Sequence, residues 1–213
     1  VVGSSGKRYK FDKAIFALGS ITTYFGIDGL DTYSYGIKSE QEIRTLQKHL
    51  IEEYSDGSDD ESNYVIIGGG PTGVELAGAL GEYLKVLRKH FNAKEPNQAK
   101  ISLIEAAPRI LPRMSEKSSA VATKRLQKLG VNIETSKKVE RQTADSLYVN
   151  GVPLTTQTVI WTSGVANAPF FGENKELFTL NGRGRVVVDD YMMAAPDVYV
   201  IGDNADTSYA GLA

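Results

Sequence analysis

Three glycines at a fixed spacing are the residues of this sequence best suited to hold a charged ligand. Gly68, Gly70 and Gly73 follow the β-branched run 65–67 and precede a small-residue helical pattern. At such positions glycines permit a tight turn, the approach of a pyrophosphate to the backbone, and close packing of a helix on a strand. A glycine triplet can also be a plain turn, but the flanking strand and helix favour a dinucleotide site. Its residues would be Gly68, Gly69, Gly70, Pro71, Thr72 and Gly73, with the positive end of the helix facing the phosphates.

Two charged side chains would decide which dinucleotide binds. Glu105 ends the next predicted strand, where a carboxylate accepts hydrogen bonds from ribose hydroxyls and repels a 2′-phosphate, so it favours NAD over NADP. It lies further past Gly73 than the usual spacing of about 20 residues. A long first helix followed by a loop at 94–100 accounts for the excess. Arg109 is the counter-indication, because a nearby arginine can accommodate a 2′-phosphate.

Glu75 is the candidate catalytic residue, two positions past Gly73 in the expected first turn of the helix. A carboxylate there is already favourable to the helix dipole. Alternatively it lies beside the nicotinamide ring, and the sequence leaves both interpretations open.

Further candidates follow other strands. Ser163 and Gly164 come directly after the strand that contains Trp161, at the sheet end where open α/β folds bind ligands. Trp161 itself is expected in the core. Gly19 and the Gly202-Asp203 pair each follow a short apolar strand, and each could be only a turn.

A βαβαβ unit is needed to position these residues. Apolar periodicity predicts helices over 39–54, from the glycine turn to Phe91, and over 115–129, with strands at 101–105 and 131–134. Ser39 and Glu42 predict a capping box. Residues 55–62 indicate an acidic connector, and residues 138–162 an antiparallel meander with a turn at Asn150-Gly151. The predicted fold class is α/β, a Rossmann-like doubly wound parallel sheet with an antiparallel β-meander.

Composition limits the function classes. The 213 residues are 41% hydrophobic and 23% charged with a formal net charge of −2, which gives no general attraction to nucleic acid. No apolar run approaches the about 20 residues of a membrane-spanning helix. With no cysteine, the sequence excludes disulfides, thiolate zinc sites and a redox dithiol within these residues. We predict no metal site, and a cytoplasmic location is compatible with the composition.

Four motifs in order resemble the two-dinucleotide-domain flavoproteins, the FAD- and NAD(P)-dependent pyridine nucleotide-disulfide oxidoreductases. They are 17–20 (ALGS), the glycine turn, 161–165 (WTSGV) and the Gly202-Asp203 pair. Within that superfamily the chain is most similar to type II NADH:quinone oxidoreductases. The resemblance implies NAD(H) at the glycine turn, FAD contacts at Gly19, Gly202 and Asp203, hydride transfer from NADH to flavin, and a quinone as acceptor.

The sequence departs from the family pattern at both ends. It contains neither the N-terminal GxGxxG nor the C-terminal amphipathic membrane helices of such enzymes. The resemblance therefore implies a central segment: a partial FAD-binding domain at 1–30, an NAD(H)-binding domain at 31–165 and the return of the FAD domain at 166–213. We expect this segment alone to be inactive. Contact with the inner face of the cell membrane, if any, would use segments outside this sequence.

Two other functions stay open. The chain could belong to a disulfide reductase of another branch whose cysteines lie outside it, although the absence of cysteine excludes a redox CxxC in the NAD domain. It could also be a non-catalytic nucleotide-binding module.

Overall fold

The protein is described by a computed structural model covering residues 2–55, 63–92 and 99–207. All of the predicted acidic connector except Ser55, and most of the loop at 94–100, lie outside the described residues. The chain divides into two compact units, residues 22–164 and residues 1–21 with 165–213. In chain order the elements are β1 (Ala14–Phe16), β2 (Ser20–Thr22), α1 (Leu30–Tyr33), α2 (Glu40–Ser55), β3 (Asn63–Ile67), α3 (Pro71–Phe91), β4 (Lys100–Ile104), α4 (Glu116–Lys128), β5 (Val131–Glu134), β6 (Val139–Gln142), β7 (Ser146–Val149), β8 (Val152–Thr155), β9 (Thr158–Trp161), β10 (Val165–Asn167), α5 (Pro169–Glu173), β11 (Val186–Val187), β12 (Met193–Ala195), β13 (Val198–Val200) and β14 (Ala205–Asp206).

A four-stranded parallel sheet in the order β5-β4-β3-β9 organises residues 22–164. Strand β3 is buried on both faces, as central strands of parallel sheets are. Its even-numbered side chains, Tyr64 and Ile66, pack with residues of α2, α3 and α4. Its odd-numbered side chains, Val65 and Ile67, pack with the meander strands β6 and β7. The predicted α/β class and βαβαβ order are confirmed, and the meander covers the face opposite these three helices.

The antiparallel meander has the order β6-β7-β8. The turn between β7 and β8 is formed by Asn150 and Gly151, with φ values of 49° and 76°. Two successive positive φ values suit the twist of a tight hairpin, and asparagine followed by glycine adopts them readily. The hairpin predicted from this dipeptide is confirmed.

The capping box that begins α2 is also confirmed. Ser39 Oγ accepts a hydrogen bond from Glu42 N at 3.2 Å, and Glu42 Oε2 accepts one from Ser39 N at 2.7 Å. The same carboxylate accepts hydrogen bonds from Lys38 N and Thr22 Oγ1, both at 2.7 Å. Burial raises the pKa of Glu42, but these hydrogen bonds to the ionised form outweigh it and hold the pKa below its ordinary value.

The compact unit that contains the four-stranded sheet begins at Thr22. The start of the corresponding domain predicted from the sequence is residue 31. Leu30 is fully buried in the same cluster as Val65 and Trp161. Trp161 also donates a hydrogen bond from Nε1 to Thr23 O at 2.8 Å. These contacts tie residues 22–30 to the central sheet and confirm Trp161 as a core residue.

The second unit has its own small core. Strands β1, β13 and β12 form a three-stranded sheet in that order, with β1 and β13 parallel. Phe16 packs at 5.3–6.1 Å between ring centroids against three other phenylalanines, Phe170, Phe171 and Phe178. Two of the strands in this unit are short: β13 ends at Val200, and β11 contains only Val186–Val187.

No helix in the described ranges is both long and apolar enough to cross a membrane.

Candidate functional site

The glycine turn joins the carboxyl end of β3 to the amino end of α3. Gly68 has φ 114°, and a Cβ there would collide with the side chains of Thr162 and Ser163. A Cβ at Gly73 would overlap the carbonyl oxygen of Gly68. Only glycine fits at either position, because a helix and two strand ends meet within van der Waals distance.

Gly70 differs from its neighbours, because its side is open. Apart from Gly70 itself and the adjacent residues in the chain, no atom lies within 4 Å of the position that a Cβ would occupy. Its φ of −72° is available to any residue, so neither strain nor packing accounts for a glycine here. Gly70 is the N-cap of α3 and offers no side-chain acceptor to the first-turn N–H groups of Thr72 and Gly73, while Pro71 has none to satisfy. The turn is therefore an accessible backbone surface at the positive end of a long helix, which suits an anion.

Glu105 lies against this turn, immediately after β4. Its Oε2 accepts a hydrogen bond from Gly69 N at 2.6 Å, and its Oε1 accepts one from Ala107 N at 2.7 Å. The sequence did not reveal the contact with Gly69. Each carboxylate oxygen keeps further acceptor capacity, so the half-buried side chain can still accept hydrogen bonds from a ligand at the turn.

Arg109 is directed into its own loop. Its guanidinium donates hydrogen bonds to the carbonyl oxygens of Leu111, Pro112 and Met114, each at 2.8 Å. Three of the five N–H donors of the guanidinium are thereby used within the loop, which leaves fewer for the two parallel hydrogen bonds by which arginine binds a phosphate. The structure gives Arg109 a role other than the 2′-phosphate contact considered from the sequence.

Glu75 is exposed on α3, beyond the first helical turn where the sequence placed it. The interaction of the Glu75 carboxylate with the helix dipole, which could have explained a carboxylate at this position, is therefore weak, because the dipole effect fades within the first turn. Glu75 lines an open groove between α3 and α4, together with apolar Val121 and Leu126 and basic Lys117 and Arg125. The glycine turn and Glu105 are brought together, whereas Glu75 belongs to this adjoining surface.

The residues after β9 divide into two roles. Ser163 is exposed and its Oγ lies beside Gly68. Thr162 Oγ1 donates to Ile67 O at 2.8 Å and so fixes the start of the turn. A Cβ at Gly164 would collide with Thr23 O and the ring of Phe25. Gly164 therefore has a packing reason to be glycine, and its assignment to the cofactor site stays a prediction.

The candidates in the other unit surround one buried asparagine. Asn204 is fully buried; its Oδ1 accepts a hydrogen bond from Gly19 N at 3.1 Å, and its Nδ2 donates to Gly19 O. Ser20 Oγ donates to Asp203 Oδ2 at 3.0 Å. Gly19 and Gly202 both have φ 70°. The structure thus brings Gly19, Gly202 and Asp203 together, and adds Asn204, which the sequence placed next to Asp203 without giving it a role.

Two further residues at the glycine turn were missed. Leu111 N donates to Gly69 O at 2.6 Å, and Ile110 is buried against the same glycine. Leu111 has φ 49°, which is rare for a branched apolar residue and has no signature in the sequence.

An imidazole with a shifted pKa lies at the opposite, amino end of the sheet. His49 Nε2 is 2.7 Å from Thr158 Oγ1, at the start of β9, and its ring stacks on Tyr35 at 4.6 Å between centroids. Burial lowers the pKa of His49, and the charges of Glu53 and Glu52 only partly oppose this. The described residues contain no group of three or more His, Cys, Asp or Glu side chains that could hold a metal ion.

Comparison with known families supports the assignment of a dinucleotide fold. A family model described as pyridine nucleotide-disulphide oxidoreductase matches residues 1–212. The chain is 30% identical to a type II NADH:quinone oxidoreductase of Mycobacterium tuberculosis, over 92% of this chain and 46% of that protein. It is also 30% identical to one of Staphylococcus epidermidis, over 92% of this chain and 50% of the relative. The chain therefore spans about half the length of the curated relatives it matches.

Solved structures show the same fold. NDH2 from Plasmodium falciparum in complex with NADH superposes with a TM-score of 0.75 at 24% identity, covering 96% of this chain and 46% of that one. An NAD-dependent persulfide reductase from A. fulgidus superposes with a TM-score of 0.74 at 22% identity, covering 96% and 35%. These two neighbours differ in activity but superpose almost equally well, so they establish the fold alone.

Proposed function

The chain belongs to the pyridine nucleotide-disulphide oxidoreductase family, and from that premise we propose that residues 22–164 are the NAD(H)-binding domain of a flavin-dependent NADH dehydrogenase. In the full-length protein a hydride passes from NADH to FAD, and the electrons pass on to a quinone. The names of the relatives that are 30% identical support this choice within the family.

The observation that carries the proposal is the open side of Gly70 at the amino end of α3. A Cβ at this position would meet only space, and the neighbouring glycines are already required by packing. An open glycine at a helix N-terminus suits the close approach of a pyrophosphate to the backbone. The pyrophosphate of NADH would rest on Gly68 to Gly73, with the Ser163 hydroxyl at the edge of the turn.

We propose NADH rather than NADPH as the hydride donor. The Glu105 carboxylate lies at the turn, where it can accept hydrogen bonds from the ribose hydroxyls and repel a 2′-phosphate. The guanidinium of Arg109, the nearby group that could have reversed this preference, is bonded to three carbonyl oxygens of its own loop.

FAD, when bound, supplies the ring that accepts the hydride and releases the electrons. The residues of this chain that fit it are Gly19, Ser20, Gly202 and Asp203, where a hydroxyl and a carboxylate lie on a turn fixed by buried Asn204. These groups would hydrogen-bond the polar, non-reacting part of the cofactor and hold it in place. Glu75 would orient the nicotinamide side of NADH.

A single methyl group tests the coenzyme site. Gly70→Ala is compatible with the backbone and meets no atom in the protein, so the variant should fold normally. It should nevertheless lose NADH affinity by at least about tenfold, because the methyl group occupies the space of the pyrophosphate. NADH fluorescence titration measures the affinity and thermal unfolding the fold.

Gly81→Ala is the matched control, since it adds a methyl group to the same helix in ordinary contact with Ile101. Unchanged NADH affinity in Gly70→Ala would remove the pyrophosphate from this turn. The acceptor is tested in the full-length protein by NADH oxidation with a soluble quinone, with a disulfide and with a persulfide; turnover with a sulfur substrate alone would assign another branch of the family.

A further inference from the structure

Both polar backbone groups of Gly69, the middle of the coenzyme turn, are held by the segment that follows β4. Gly69 N donates to Glu105 Oε2, and Gly69 O accepts from Leu111 N, each at 2.6 Å. We call Glu105, Arg109 and Leu111 the Gly69 clamp. The N–H of Gly69 belongs to the peptide group that precedes its Cα, and the C=O belongs to the peptide group that follows it. The clamp therefore holds one polar group of each and fixes the direction of both peptide groups that flank Gly69.

The Leu111 arm of the clamp is a strained conformation. Leu111 has φ 49° although its side chain is branched and buried. A left-handed conformation at such a residue costs free energy and persists only when the surroundings enforce it. This conformation accompanies the approach of Leu111 N to the carbonyl oxygen of Gly69.

Two side chains hold the two peptide groups that flank Leu111. From the outer side, the Arg109 guanidinium donates to the carbonyl oxygens of Leu111, Pro112 and Met114. From the core side, buried Ser119 on α4 donates from Oγ to Ile110 O at 2.8 Å. Ser119, which lies within helix α4, binds one carbonyl oxygen of this segment. Arg109 binds three carbonyl oxygens of the same irregular segment through one planar guanidinium. Only the guanidinium has the fork of donors that this arrangement needs.

We propose that Arg109 is a positioning residue for the coenzyme site, which sets the orientation of the Gly69 peptide through Leu111 and does not itself bind a phosphate. The proposal rests on the assignment of the glycine turn to NADH. Loss of Arg109 would leave the turn intact in sequence but free to reorient, so every ligand that uses the turn should bind more weakly.

This role and a 2′-phosphate contact make opposite predictions for coenzyme choice. If Arg109 positions the turn, Arg109→Lys and Arg109→Ala weaken NADH and NADPH by the same factor, about tenfold for the loss of charge-assisted hydrogen bonds. A phosphate-binding arginine would lose only NADPH affinity when changed to Ala, and would keep much of it as Lys because the charge remains. ADP-ribose, which lacks nicotinamide, should follow NADH.

A measurement without coenzyme tests the clamp directly. Hydrogen–deuterium exchange of the 213-residue chain should show exchange at the Gly69 and Leu111 amides faster by about tenfold in both Arg109 variants than in wild type. Arg44→Ala is the control: it removes the same charge from the same compact unit, and its side chain is 70% exposed. Its exchange at these amides and its NADH affinity should match wild type.

The affinity measurement and the exchange measurement test the two proposals separately. Unchanged exchange at Gly69 and Leu111 in folded Arg109→Lys would overturn the clamp, and so would an NADPH-selective loss of affinity. Failure of folded wild type to bind NADH would overturn the coenzyme assignment, while exchange would still decide whether Arg109 holds Gly69. If Arg109→Ala does not fold, Arg109→Lys alone is used for both the affinity measurement and the exchange measurement.

Discussion

Glu105 contacts the glycine turn within the protein and is also the side chain that we propose for the ribose of the coenzyme. Its carboxylate accepts the Gly69 amide within the protein and would also accept ribose hydroxyls from the coenzyme. Ionised oxygens can accept several hydrogen bonds at once, so the two roles are compatible. Substitution at this position therefore tests the geometry of the turn and the choice of coenzyme together.

We predict that Glu105→Ala weakens NADH binding by about 1–3 kcal/mol, the usual effect of losing a charged hydrogen-bond partner. The preference for NADH over NADPH should narrow at the same time, because the repulsion of a 2′-phosphate is removed. Titrations of wild type and variant with both coenzymes measure the two effects. Wild type that binds both coenzymes equally well would show that Glu105 does not govern the choice.

Glu75 is predicted to affect turnover more than binding. Glu75 is exposed on α3, away from the contacts that hold the glycine turn. Its substitution should therefore change the affinity for NADH little. In the full-length enzyme, Glu75→Gln should lower kcat several-fold with a smaller change in NADH affinity, because it removes the charge that we propose to orient the nicotinamide and keeps the shape of the side chain. Glu82→Gln on the same helix, an exposed residue paired with Lys85, is the control. Equal kcat in both variants and wild type would exclude Glu75 from the site.

At the scale of elements, the candidate coenzyme site lies at one end of the parallel sheet and His49 lies at the other. The glycine turn, Glu105 and Ser163 follow the carboxyl ends of β3, β4 and β9, while His49 contacts the amino end of β9. Backbone N–H groups of a helix N-terminus are available only at the first of these ends. The ionisable side chains at the other end, His49, Glu52 and Glu53, should affect the stability of the fold and not coenzyme binding.

The partly buried His49 gives a pH prediction with a definite sign. Its pKa in the folded protein lies below the ordinary 6.5, so the unfolded chain binds more protons as the pH falls. The stabilisation is therefore fully present above about pH 6.5 and is lost as the pH falls through the folded pKa. Urea unfolding at about pH 7.5 and about pH 5.5 should show a smaller drop in the free energy of unfolding for His49→Gln than for wild type. An equal drop would mean that His49 is not the group responsible. NADH affinity should be the same in both.

At the scale of the whole molecule, the two compact units differ in how complete their candidate sites are. The glycine turn, α3 and Glu105 all lie in residues 22–164 and are adjacent through β3 and β4. The flavin candidates lie in the other unit, and the sequence holds no second GxGxxG to bind a second pyrophosphate.

We therefore predict that the purified 213-residue chain binds NADH but carries no flavin and shows no turnover. Without a second pyrophosphate site, the remaining groups would have to order a large ligand at a cost of roughly 0.5–1.5 kcal/mol per immobilised side chain. An absorption spectrum beside an NADH titration tests this. Stoichiometric yellow flavin would show that a complete FAD site exists within these residues.

Local signals in the sequence determined the elements. The β-branched run at 65–67, the Ser39–Glu42 box and the Asn150-Gly151 turn each act over a few residues, and each formed as predicted. The parallel order of the sheet followed from the alternation of strands and helices, since such a unit has few other ways to bury both faces. The tight turn predicted at Gly68 agrees with its φ of 114°, and the helix–strand packing predicted at Gly73 agrees with the overlap of a Cβ there with the carbonyl oxygen of Gly68.

Only the tertiary structure decided which hydrogen-bond partners and backbone conformations these residues take. The contact of Glu105 with Gly69, the commitment of Arg109 to three carbonyls and the left-handed Leu111 all join positions far apart in the chain or irregular in conformation. Residue type fixes the chemistry that a side chain can perform, but not its partner. For Arg109 the sequence therefore offered a phosphate ligand, whereas the folded chain directs the same guanidinium to its own backbone, because three carbonyls of the loop lie within its reach.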